Sequence, residues 1–150
     1  MFTYLHTTMA SRDLLVIARE CNKTLNGLIK RMAQKFKSLP NSADDVLFIE
    51  TLQRRVWLAT STDETFIIRE ASDHVAKYSE RLIENDNLDW LINELDTIVI
   101  DDDVDVAEKN MFETLINVIT RRYSSMSESE KKTIYANVKT IHDDCLEFGL

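Results

Sequence analysis

Between Ser11 and Lys37 the residues Leu14, Ala18, Cys21, Leu25, Leu28 and Met32 recur at spacings of four and three. That places them on one helical stripe, which Leu15, Ile29 and Phe36 widen. SLPNS, residues 38–42, is a stop and a turn. A second helix is expected over Ala43–Ala59, with Ser42 as its cap and Asp44 and Asp45 in its first turn. It carries Val46, Leu47, Phe48, Ile49, Leu52, Val56, Trp57 and Leu58, so apolar residues lie on more than one side. Such a helix is expected at the centre of the fold.

Ser61 to Glu64 has the form of a capping box and predicts a third helix, with Ile67, Ala71, His74, Tyr78 and Leu82 inward. Residues 84–87 break the pattern. Leu88, Leu91, Leu95 and Ile98 resume it, with Trp90 beside them. A fifth helix is expected over Val106–Tyr123, with Phe112, Leu115 and Ile119 inward and Arg121 and Arg122 at its end. Ser127 to Glu130 is a second capping box. The last helix shows the cleanest stripe: Ile134, Val138, Ile141, Cys145 and Phe148. The expected fold is all-α: one compact bundle of about six helices over residues 11–150, preceded by a short arm at residues 1–10. No fixed repeat suggests a solenoid.

Composition supports this reading. Two glycines and one proline in 150 residues argue against an all-β fold and against a glycine-rich phosphate cradle. No apolar run reaches the roughly 18 residues of a membrane span. The first residues, MFTYLHTTMASRD, lack the basic start and continuous apolar core of a secretory signal. Cys21 and Cys145 fall on inward faces and are expected as reduced thiols of a cytosolic type of environment. Their spacing allows a disulfide but sets no pattern for one. The net charge of −8 is uneven: residues 1–40 carry +5 and residues 41–150 carry −13. The acidic bulk argues against nucleic acid as a partner. Lys30, Arg31, Lys35 and Lys37 make the end of the first helix a basic patch, the sign the helix dipole favours there.

The densest acidic run is Asp101, Asp102, Asp103 and Asp105. Acids at alternate positions resemble the start of a calcium loop. The sixth position then needs glycine and holds Val106; the twelfth needs a bidentate acid and holds Phe112. The run reads instead as an acidic hinge into a helix N-terminus, and its expected use is contact with a basic surface. Cys21, His74, His142 and Cys145 form a zinc set only if the fold gathers them. The expectation is a buried Cys145 beside a surface-facing His142. With no nucleophile elbow and no metal or cofactor motif, the chain is expected to be non-enzymatic. The aspartates, the aromatic arm residues Phe2 and Tyr4, and the basic residues Lys30, Arg31, Lys35 and Lys37 are the candidate partner-binding positions.

The run NLDWLINELDTIVIDDDVDVAEKNMFETLINVITRRYSSMSESEKKTIYANVKTIHDDC resembles the end of small helical proteins of nucleocytoplasmic large DNA viruses. The shared features are a short helix, an acidic stretch, a helix carrying Asn110-Met111-Phe112, and an amphipathic helix like Ile134 to Cys145. The resemblance covers residues 85–146 and lies in helix lengths and apolar positions. It implies a capsid- or virion-associated protein, present in the virion and in the host cytoplasm during assembly. Its implied partners are capsid components or copies of itself, and it carries over no catalytic residue. Two other readings stand beside it: a soluble helical regulator of host signalling that holds a partner helix in a groove, as cell-death inhibitors do, and a metal-dependent enzyme with scattered acids.

Overall fold

The computed structural model describes residues 12–95 and 105–150, without the side chains of Glu108 and Phe112. The arm at residues 1–10 and the aspartates Asp101, Asp102 and Asp103 lie outside the described residues. Among those described there are seven α-helices and no strand: α1 (Leu14–Lys37), α2 (Ala43–Thr62), α3 (Phe66–Ser72), α4 (Ser79–Glu84), α5 (Asp89–Leu95), α6 (Val106–Tyr123) and α7 (Glu128–Gly149). A short 3₁₀ helix, Val75–Tyr78, joins α3 to α4.

Local chemistry sets most of the ends. Asp13 caps α1 by accepting the Leu15 N–H at 2.9 Å. Asp105 does the same for α6 from Ala107. The box at the start of α7 is complete, with Ser127 and Glu130 each accepting the other's backbone N–H. In the turn after α1, Asn41 takes a left-handed backbone (φ 53°), which its short polar side chain tolerates.

Two expected caps do not form. The Ser42 hydroxyl donates back to the Leu39 carbonyl instead of holding α2. At the far end, Thr60 and Thr62 donate to Val56 and Leu58, so α2 runs on to Thr62 through the predicted box. Asp63 then takes over, accepting from the Thr65 N–H and hydroxyl. The expected third helix is likewise divided. The Ser72 hydroxyl turns to the Arg69 carbonyl as α3 ends, and the helical phase resets. His74, expected inward, is therefore exposed, and Ile68 is the buried residue of α3.

The frame is α1 with an antiparallel partner on each of two sides. Arg12 meets Glu147 while Lys35 meets Glu130, which fixes α7 antiparallel to α1. Arg19 meets Glu64 and Lys37 meets Glu50, which fixes α2 antiparallel as well. The segment from α3 to α4 descends along α7: Ser72 lies near Gly149, Ser79 bonds His142, and the Tyr135 hydroxyl donates to the Leu82 carbonyl.

The larger apolar cluster gathers Ile29, Ala33, Phe36, Ile49, Leu82, Leu88, Val118, Tyr123 and Met126 from α1, α2, α4, α6, the start of the α5 segment and the turn before α7. A smaller one holds Ile17, Ala18, Cys21, Ile68 and Cys145. The central helix is α1, not α2 as the sequence pattern suggested. α2 packs Ile49, Leu52 and Val56 inward and leaves Leu47, Trp57 and Leu58 exposed, at 63%, 63% and 61%.

Candidate protein-binding surface

The exposed side of α2 follows from its helical phase. Leu47, Thr51, Arg54 and Leu58 form one row, opposite the buried row of Asp45, Ile49, Leu52 and Val56. Trp57 stands beside the outer row on the side facing α1. There it joins Asn26, Gly27, Lys30, Gln53 and Arg54 in lining an open groove of about 440 Å³. Gly27 supplies the space, because a Cβ built there meets nothing within 4 Å. It therefore marks neither a close helix contact nor a filled core position. Exposed apolar residues scattered singly are ordinary, whereas three large ones on one helix beside a groove form a surface suited to association.

The charge of this groove is opposite to that of the protein. Neither Lys30 nor Arg54 has an ion-pair partner among the described residues; Arg54 donates only to Thr51, at 3.3 Å. Arg31, the neighbour of Lys30, faces a second groove between α1 and α7, of about 380 Å³, floored by Leu28, Met32, Met126 and Ile134. Lys35 and Lys37 are used within the fold, on Glu130 at 3.1 Å and Glu50 at 3.5 Å. So the predicted basic patch divides: Lys35 and Lys37 pair with acids of neighbouring helices, and Lys30 and Arg31 have no ion pair among the described residues. Asp105 is spent on its cap, and Phe2, Tyr4, Asp101, Asp102 and Asp103 lie outside the described residues. The apolar half of the surface was missed in the sequence reading, although Trp57 and Leu58 lie off the stripe that continues Ile49, Leu52 and Val56.

A second cluster closes the other end of α1. The Arg12 guanidinium reaches Glu147 at 2.6 and 2.8 Å, Asp144 at 3.2 Å and Glu20 at 3.1 Å. Asp144 is 4% exposed, and its Oδ2 has no hydrogen-bond partner while ionised. Burial, followed by the neighbouring Glu20 carboxylate, pushes the Asp144 carboxyl up to about 7. Glu20 is correspondingly held below the usual carboxylate range by Asp144 and Arg12, and Glu147 by Arg12. The two acids Glu20 and Asp144 thus share one proton near neutrality, carried on Asp144. A raised folded-state pKa means that the native protein binds the extra proton. The Asp144 contribution is complete below about pH 4 and is lost as pH rises through about 7. Asp144→Asn keeps a donor toward Glu20 at every pH. Its melting temperature should therefore decline less than that of the natural chain between pH 5 and pH 8. Equal declines in thermal scans would contradict the shared proton.

His142 is buried, not surface-facing, because it sits on the α7 face covered by α4. Its Nε2 lies 2.6 Å from the Ser79 hydroxyl and its Nδ1 lies 3.0 Å from Asp143. These are the residue types of a nucleophile, base and orienting acid. Here the acid is the next residue in sequence, exposed and bound to Lys139 at 3.2 Å, so it is drawn outward from the ring. The array fastens α4 to α7. Fluorophosphonate reagents should leave Ser79 unlabelled in the folded protein; a stoichiometric adduct there would assign it as a nucleophile. Among the described residues no group of three or more His, Cys, Asp or Glu is placed to hold a metal ion, and no helix is long and apolar enough to cross a membrane.

No family model matches this chain, and no curated protein or solved structure matches it.

Proposed function

We propose that the chain is a non-enzymatic interaction protein, a minor capsid or virion-associated component of a large DNA virus, that binds an acidic amphipathic segment of a capsid partner. The observation that carries the partner chemistry is the α1–α2 groove, which exposed Trp57 lines together with the cations Lys30 and Arg54, neither of which has an ion-pair partner among the described residues. An occupant with carboxylates flanking an apolar side chain would cover the indole and meet both cations. The same surface repels a basic partner. The virion setting rests on the resemblance over residues 85–146, which lies outside the groove, so the two parts of the reading can fail separately.

The partner chemistry is tested with a fluorescent amphipathic helical peptide patterned in Leu and Glu, and with a Leu and Lys counterpart, by anisotropy. The acidic peptide should bind in the micromolar range and weaken as ionic strength rises. The basic peptide should not bind. Trp57→Ala should weaken binding by roughly tenfold or more, as truncation of an aromatic anchor does, at an unchanged melting temperature. Equal binding of both peptides would overturn the reading. For the setting, mass spectrometry of purified particles should find the chain in fixed proportion to the capsid proteins, and consistent absence would remove it.

A further inference from the structure

Cys21 and Cys145 lie far apart in sequence, on different helices, yet both sit in the small apolar cluster between α1 and α7, each no more than 1% exposed. Both thiols are enclosed in this one cluster of Ile17, Ala18, Cys21, Ile68 and Cys145, so the packing of α7 on α1 brings them together. The pair lies near the open ends of both helices. Cys21 is two turns from the start of α1, and Cys145 is one turn from the end of α7, followed by exposed Leu146 and Leu150. Helix ends open locally far more readily than the whole fold. The ion cluster of Arg12 with Asp144 and Glu147 ties this end of α7 to the start of α1.

From this placement we propose that Cys21 and Cys145 form a reversible disulfide joining α1 to α7, made by thiol exchange with a low-molecular-weight disulfide such as oxidised glutathione. When the last turn of α7 opens, Cys145 loses its proton to solvent and its thiolate attacks one sulfur of oxidised glutathione. The glutathione S–S bond breaks, one glutathione thiolate leaves, and a mixed disulfide forms on Cys145. Cys21 then gives up its proton and attacks the Cys145 sulfur, releasing the second glutathione. Two protein thiols are oxidised to one disulfide, and one oxidised glutathione is reduced to two thiols. Cys145 is the first nucleophile because it lies one turn from the end of α7, and fraying of that turn exposes it before Cys21. The bond would close most of the chain into one loop and so restrict the unfolded state strongly.

The test incubates the full-length chain with oxidised glutathione, quenches by alkylation in denaturant and measures intact mass. The expected product is a monomer lighter by two hydrogens, with Cys21 and Cys145 peptides linked after digestion. Its melting temperature should be raised by about 10 °C and return on reduction. Arg12→Ala, which releases the end of α7, should accelerate the reaction severalfold while giving the same product. A stable glutathione adduct on either cysteine, a disulfide-linked dimer, or two fully alkylatable thiols after prolonged exposure would each overturn the proposal.

Discussion

Phe36→Ala should destabilise the fold by about 3–5 kcal/mol, the usual cost of deleting a fully enclosed aromatic side chain. Phe36 is completely buried at the last turn of α1, in the larger cluster with Ile49, Leu82, Leu88 and Val118. Each of those neighbours belongs to a different segment, so the cavity opens where several elements meet and no single helix can move in to fill it. Against a whole-domain stability of about 5–15 kcal/mol, the loss is a large fraction of what holds the chain folded. Urea denaturation followed by helical circular dichroism should show a lower midpoint at an unchanged slope. A loss below about 1 kcal/mol would mean that the junction collapses freely or that Phe36 is not its centre. Trp57, larger but 63% exposed, makes the contrast: its truncation should leave stability nearly unchanged, because it removes little area that folding had taken from water.

The second large effect is expected at Asp45→Ala, about 2–4 kcal/mol. Asp45 is buried at the start of α2 and accepts from Arg121 and Arg122, each at 2.6 Å. Arg121 is mostly exposed and can return to water. Arg122 is only 14% exposed and would keep a single bond, to the Asn41 carbonyl at 3.2 Å. The cost therefore comes chiefly from leaving a mostly enclosed guanidinium without its carboxylate. Asp45→Ala combined with Arg122→Met should recover part of the loss, and the double-mutant cycle measures that coupling. Additive losses would show that the pair is not a unit.

These two sites also show what the sequence makes legible. Asp45 stands in the first turn of one predicted helix and Arg121 and Arg122 in the last turn of another, and local dipole arguments explain each by itself. That they bind one another across the fold follows only from tertiary packing. The apolar stripes of α1 and α7 were readable because both helices are long and bury one face, so a period of three and four survives over many turns, except at the start of α1, where Leu14 is exposed and Ile17, off the expected stripe, is buried. α2 misled because its apolar residues serve two purposes, one row for the core and one for solvent, and periodicity does not say which row is which. The divided third helix was hidden for a different reason. Hydroxyls at Thr60, Thr62 and Ser72 make bonds back to helix carbonyls that compete with the caps their residue types suggest. The proximity of Cys21 to Cys145 and of Ser79 to His142 depends on which helices become neighbours, and spacing along the chain does not encode it.

The groove between α1 and α2 is the centre of the functional account, and reversing its charge tests it most directly. In the variant Lys30→Glu with Arg54→Glu, both changes fall on exposed positions, so the melting temperature should stay within a few degrees of the natural chain. Anisotropy titration should then show the acidic Leu and Glu peptide losing at least tenfold in affinity while the Leu and Lys counterpart gains measurable binding. Retention of acidic-peptide binding by this folded variant would contradict the account.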